Sequence, residues 1–200
     1  MTSFDFRKII AALAFLLLFS VGASAQKWAA GVNVGELAWF GTLNTEASFA
    51  AGRHVTLNTR LRYNPWSFRE EQGPRSQINQ KQRTFNLGAK FWPWYTYSGW
   101  WFGVAGQYQE YNRGGLFGAT ESSRLHTEEG DAYGAVLSAG FALMLGKHLN
   151  FDMGVAGWGG VARYVSYDCP RCGRRDPREG IETKSFVLPD SLLVSLIWVF

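Results

Sequence analysis

Cys169-Pro-Arg-Cys172 is the motif in this chain best suited to chemistry, and it holds both cysteines among the 200 residues. Three chemistries are open to a Cys-x-x-Cys. A redox pair needs a helix start or a nearby cation to lower one thiol pKa. A zinc site needs four ligands, and the surrounding stretch, 165–185, contains no His. A local disulfide needs only an oxidising compartment. The disulfide is the expected state. Across so short a loop it shapes the tip more than it stabilises the fold. The same stretch carries Arg171, Arg174, Arg175 and Arg178 beside Asp168, Asp176 and Glu179. Such charges either pair with one another in solvent or meet the phosphates of a lipid or an acidic partner.

His126 anchors a second constellation, with Ser122, Ser123, Thr127, Glu128 and Glu129 nearby. A nucleophile, a base and an orienting carboxylate can be written from that set, which would make the chain a lipid-modifying enzyme. The spacing dictates no geometry for them, and polar loops collect such residues by composition alone. The reading favoured here is non-enzymatic. The other histidines, His54 and His148, fall in tight turns. There is no phosphate loop, dinucleotide fingerprint or metal-binding helix motif, so no cofactor or metal is expected. The net charge of +4 is too mild to argue for nucleic acid.

A third set is scattered: Glu46, Arg60, Arg62, Lys90, Glu110 and Asp152. Each lies on a parity otherwise occupied by Gly, Ala, Ser, Asn and Gln. The opposite parity holds Phe, Leu, Val, Tyr and Trp. Across 55–63, Val55, Leu57, Leu61 and Tyr63 point one way while Arg60 and Arg62 point the other. Charges on the small-residue face of a closed sheet must neutralise one another, because an isolated buried charge is costly.

The elements that position these groups are strands. Aromatic content is 16%, with 23 Gly and only 6 Pro, and the periodicity is two throughout. Strands are expected near 28–38, 43–51, 55–64, 81–92, 99–112, 131–145, 149–164 and 190–200. Tight turns join the second to the third, the fourth to the fifth and the sixth to the seventh. Long polar loops join the third to the fourth, the fifth to the sixth and the seventh to the eighth. The first connection is short where the alternation calls for a long one. Residues 1–25 read as a cleaved signal peptide: Arg7 and Lys8, an apolar run, then Ala23-Ser-Ala25. Residues 26–200 make one domain.

Alternating loop lengths, even strand number and an apolar outer parity describe an all-β, eight-stranded, antiparallel up-and-down transmembrane β-barrel. Eight strands leave an interior just filled by side chains, so a pore is not expected. A monomer in the outer membrane of a Gram-negative bacterium is the expected state. Its partners would be outer-membrane lipid and the barrel-assembly machinery. Trp28, Trp92, Trp94, Tyr95, Tyr97, Trp100, Trp198 and Phe200 cluster at the end of the tight turns and read as an interfacial girdle. In the closing strand Leu192, Val194, Leu196, Trp198 and Phe200 share the lipid-facing parity, and the terminal Trp198 and Phe200 resemble an assembly signal. The alternative all-β reading is a soluble periplasmic or secreted barrel that binds an apolar ligand.

Several segments together carry a family likeness. They are Tyr63-Asn-Pro-Trp-Ser-Phe68, Lys90-Phe-Trp92, Tyr111-Asn-Arg-Gly-Gly115, the Gly146-Lys-His148 turn, the cysteine-bearing last loop and Pro189. Over roughly the whole mature chain this resembles an uncharacterised family of Gram-negative outer-membrane-barrel-like proteins, known as a domain of unknown function. The resemblance implies a link to fimbrial or envelope assembly. The sequence departs from the family pattern at Gly88, where an acidic residue is usual. It departs again at Leu188-Pro-Asp190, where Gly-Pro-Thr is usual.

Overall fold

Among the described residues, period-two alternation builds nine strands, and one short helix interrupts them. In the computed structural model they are β1 (Trp28–Asn33), α1 (Val34–Ala38), β2 (Leu43–Ala50), β3 (Val55–Asn64), β4 (Ser67–Arg69), β5 (Gln77–Phe91), β6 (Gly99–Gly114), β7 (Thr127–Met144), β8 (Leu149–Tyr167) and β9 (Glu182–Val199). The structure describes residues 27–38, 41–69, 77–114, 127–167 and 180–200. The expected leader, 1–25, lies outside the described residues, as do Cys169, Cys172 and His126.

β4 continues β3 beyond Pro65 and pairs only with β5. The other eight strands form a closed ring in which each runs antiparallel to the next, and β9 returns to pair with β1. The strand order is therefore up-and-down. Closure satisfies the backbone around the ring, so most strands have no free edge. The turns at 51–54, 92–98 and 145–148 share one end of the ring with Trp28 and Phe200, whose main chains are joined by a 2.8 Å bond. This is called the turn end below, and the opposite end the loop end. The turn at 92–98 is closed by two left-handed residues, Tyr97 (φ 67°) and Gly99 (φ 74°). A side chain at Gly99 would also collide with the Trp94 ring, 2.3 Å from the position of a Cβ.

Two faces follow from the pleat. Outside, the registers align apolar rows around the ring. One row runs Leu61, Phe85, Tyr108, Tyr133 and Val161; another runs Val55, Phe91, Phe102, Ala139, Val155 and Leu192. Their large members are exposed. Inside are Glu46, Ser48, Thr56, Arg60, Arg62, Asn86, Lys90, Gln107 and Asp152, all buried. In β9, Leu193, Ser195, Ile197 and Val199 face inward, leaving Leu192, Leu196 and Trp198 outside. Among the described residues no helix is long and apolar enough to cross a membrane.

Three expectations need correction. The first strand does not run to Ala38. It stops at Asn33, whose side-chain oxygen accepts from the amides of Gly35 (2.9 Å) and Glu36 (3.3 Å) and so caps α1. The closing strand is longer than the alternation indicated, starting at Glu182. Its register slips between Ala156 and Gly157: Ser191 opposes Ala156 and Pro189 opposes Gly157, so Asp190 is the extra residue of a bulge. The parity of β9 reverses there, which hides the strand's first half from a simple alternation test. Finally, Trp92 and Tyr97 do not join an outer girdle. Both are buried, since Trp92 shares the inward parity of Lys90 and the left-handed turn folds Tyr97 under the ring.

Candidate functional site

The chemistry-bearing groups of the described chain meet inside the ring, in two connected clusters. The cluster nearer the turn end is built on Lys90. β5 points its side chain inward, where Nζ donates to Glu46 Oε1 at 2.9 Å and to Asp152 Oδ2 at 3.2 Å. The ammonium also lies 4.3 Å from the centroid of the Trp101 ring. Trp101 donates its indole N–H to the other oxygen of Asp152, at 2.5 Å. Asn58 donates to Glu46 at 3.4 Å, and Arg60 lies 3.7 Å from the second Glu46 oxygen. Strands β2, β3, β5, β6 and β8 are thus tied across the interior by one ammonium and two carboxylates.

Trp101 is completely buried, and the sequence makes room for it with glycine. A Cβ on Gly140 would lie 2.4 Å from the Trp101 ring, and one on Gly154 at 3.0 Å. Below it Trp92 donates to Thr56 Oγ1 at 3.1 Å, and its ring lies 6.4 Å from that of Trp101 and 5.9 Å from that of Tyr97. Ser48 donates to the Tyr97 hydroxyl, which donates to the Lys27 carbonyl; Asn150 donates to the Tyr97 carbonyl at 2.7 Å. These aromatic side chains form a floor across the turn end.

The second cluster is built on Arg62. One Nη donates to Gln107 Oε1 at 2.7 Å and to Asp190 Oδ1 at 2.9 Å; the other reaches Glu36 Oε1 at 3.4 Å. Gln107 donates to the same Asp190 oxygen at 3.0 Å and accepts from Asn86 at 3.2 Å. Arg60 lies between the clusters, 4.0 Å from Glu36. Within these two clusters the carboxyls Glu36, Glu46, Asp152 and Asp190 face the cations Arg60, Arg62 and Lys90. Glu36 sits on α1, between strands, and burial pushes its carboxyl above the ordinary range despite the nearby Arg62 and Arg60.

Of the interior charges expected from sequence, Glu46, Arg60, Arg62, Lys90 and Asp152 come together. Glu110 does not, and is corrected: it faces outward, with Arg83 4.0 Å away, both well exposed. On β6 the buried residues are Gln107, Gln109 and Tyr111, so Glu110 falls on the outer parity beyond the apolar rows. Glu36 and Asp190 were missed. The signal for Glu36 was the Asn33-x-x-Glu36 spacing of a helix cap. Asp190 could be found only through the bulge beside Pro189, a residue that strands tolerate at such places.

Trp198 stacks on His148 at 5.8 Å outside the ring, while Phe200 is half-buried at its rim. Among the described residues no group of His, Cys, Asp and Glu is placed to hold a metal. A disulfide between Cys169 and Cys172 and any role of His126 fall outside the described residues. A family model described as a protein of unknown function, DUF3575, matches residues 11–200. No curated protein and no solved structure matches the chain.

Proposed function

We propose a membrane role for this chain, which belongs to the DUF3575 family: it is a small β-barrel of a Gram-negative outer membrane, plugged by its own side chains, that presents loops to the outside. The observation that carries this reading is the inverted polarity of the ring. A soluble ring would hide its Leu, Phe and Val and expose its Lys, Arg and Glu. Here Leu57, Leu87, Val104, Leu137 and Val155 are exposed, while Lys90, Arg60, Arg62 and their carboxylate partners are buried. Exposed apolar surface on this scale needs a non-aqueous neighbour.

The dimensions support the same reading. On β6 the outer apolar residues run from Trp100 to Tyr108, about 27 Å along the strand and about 20 Å along the normal at a typical tilt, close to the apolar band of known membrane barrels. Arg83, Glu110 and Arg163 are exposed beyond that band at the loop end. Trp28, Trp94, Tyr95, Trp100 and Trp198 are exposed at the turn end, as an interfacial belt would be. The interior clusters act as struts between strands, so the function lies in anchoring and presenting the loops rather than in conduction. A part in fimbrial or envelope assembly is supported by the family resemblance alone.

The test is to express the full chain in a Gram-negative host, fractionate the envelope, and compare gel mobility before and after boiling. Recovery with the outer membrane and a heat-dependent shift are expected, and deletion of Phe200 should impair both. Recovery as a soluble periplasmic protein would overturn the proposal in favour of a soluble barrel.

A further inference from the structure

The ring is not uniform in height. β1 pairs with β9 only as far as Asn33 opposite Ser195, and β2 with β3 only as far as Leu43 opposite Tyr63. Beyond those points neither β1 nor β2 continues among the described residues, which leaves a notch in the wall whose lower edge is lined by α1, with Gly35 against Leu192 and Val194, and by Gly41 and Thr42, which accept from Trp66 and Asn64. The Asn33 side chain completes the β9 edge for one further step, donating to the Leu192 carbonyl at 3.1 Å and accepting from the Val194 amide at 3.3 Å. Above it, the Glu182–Asp190 half of β9 pairs with β8 alone among the described residues. This notch is on the order of 10–15 Å wide, the width of two strands. It lies at the level of the outer apolar rows, since Ser185 opposes Val161 and Leu192 opposes Val155.

Beside the notch is a cavity of about 320 Å³ inside the ring, a size within the range of small-ligand sites. Its wall is apolar where Ala132, Ala162, Trp158 and Phe186 meet, with Trp158 and Phe186 edge to face at 4.7 Å. Val187 and Leu188 line the side toward the notch and are exposed, Val187 by 87%. Trp158 is 94% buried, yet its indole N–H has no partner among the described residues. A buried donor left open in this way costs stability unless an acceptor visits it. Arg113 also lines the cavity and has a buried Nε without a hydrogen bond among the described residues; Lys184 and Glu128 complete the charged lining. With Glu182 bonded to the cavity-lining Tyr164, the charges at the rim are mixed, and the open donors of Trp158 and Arg113 are what favour an acidic visitor.

We infer that this cavity binds one hydrocarbon chain carrying an acidic head, of the fatty-acid class, which enters through the notch. The chain occupies the Ala132–Ala162–Phe186 wall, and the carboxylate accepts from Trp158 and Arg113. The cavity volume holds a single chain rather than a diacyl lipid. Entry from the outer leaflet rests on the membrane reading above; the cavity and its open donor do not.

The experiment uses the full mature chain refolded in detergent micelles, with palmitic acid bearing a photoreactive diazirine, mapped by mass spectrometry. Labelling is expected at 158–162 and 184–188. Ala162→Trp fills the cavity and should reduce labelling at least tenfold. Trp158→Phe keeps the shape but removes the donor. It should weaken the acid about tenfold and the matching fatty alcohol less, because the hydroxyl oxygen accepts only a neutral bond. Labelling spread over the outer apolar rows, or insensitive to both variants, would overturn the inference. So would labelling by a diacyl phosphatidylglycerol probe alone. If Ala162→Trp loses its heat-modifiable mobility, Trp158→Phe decides by itself. Binding by a chain that fractionates as soluble would uphold the cavity and refute the membrane reading; insertion without labelling would do the reverse.

Discussion

Replacing Lys90 by Met tests whether the interior clusters hold the ring together. The substitution keeps the length of the side chain and removes its charge. Glu46 loses its 2.9 Å partner and Asp152 its 3.2 Å partner. Asp152 keeps only the Trp101 N–H, and Glu46 keeps Asn58 at 3.4 Å and Arg60 at 3.7 Å. Two carboxylates are then left buried with incomplete partners. Removing one member of a buried pair typically costs about 3–5 kcal/mol, and the loss of contact with the Trp101 ring adds about 1 kcal/mol. The expected destabilisation is therefore about 4–6 kcal/mol, measured by urea unfolding of refolded protein in lipid vesicles. The triple variant Lys90→Met, Glu46→Gln, Asp152→Asn removes all three charges and should recover most of that loss. If Lys90→Met unfolds within about 0.5 kcal/mol of the parent, the interior is wet enough to solvate its charges, and the strut argument fails.

Three further outcomes follow from the same geometry. Because the folded pKa of Glu36 is raised, the folded chain holds its proton more tightly than the unfolded chain, so this contribution to stability is present at low pH and falls as pH climbs above 4.5. Unfolding measured between pH 4 and pH 8 should show that decline, and Glu36→Gln should reduce it. Gly140→Ala puts a methyl group 2.4 Å from the Trp101 ring and should cost about 1–3 kcal/mol; a shift in Trp emission would report the displaced indole. Glu110→Ala removes the exposed partner of Arg83 and the acceptor of the Tyr108 hydroxyl, 3.4 Å away, and should change stability by less than about 1 kcal/mol in the same urea assay.

What could be read from sequence was whatever depends on parity alone. Val55 to Tyr63 on one face and Thr56 to Arg62 on the other survive in β3 unchanged, as do the ends of that strand. Lys90, Glu46 and Asp152 were legible as interior charges for the same reason, although nothing local says that they touch. Their sequence separations are set by ring closure, which alternation does not encode. Trp92 went astray because its place at a strand end was weighed above its parity with Lys90. Glu110 went astray in the opposite way: on β6 it shares the outer parity of Tyr108, and only its charge suggested the interior. Where the period breaks, reading fails without warning. Asn33 ends β1 by capping a helix, and Asp190 reverses the parity of β9 through a bulge.

Those two breaks are one device. Asn33 turns the chain out of the wall into α1, which carries Glu36 into the interior; the bulge turns Asp190 inward to the same place. Arg62 meets both, at 3.4 Å and 2.9 Å. The residues that shorten the wall on one side of the notch therefore also supply the charges that fill the interior beside it. Asp190 lies two residues from Leu188, which lines the cavity, so the Arg62 cluster adjoins the cavity and separates it from Lys90 and the aromatic floor. The notch can then stay open to the outer face without opening a path through the ring. Disrupting the device at Asp190 tests this coupling: Asp190→Asn keeps the shape but weakens the bond to Arg62, leaving a guanidinium with less counter-charge beside the cavity. Chain binding should then tighten for acids and not for alcohols. Conductance in planar bilayers should remain absent, because the Lys90 cluster and Trp92 still close the turn end. A variant that conducts would show that the Arg62 cluster, rather than the aromatic floor, is the seal.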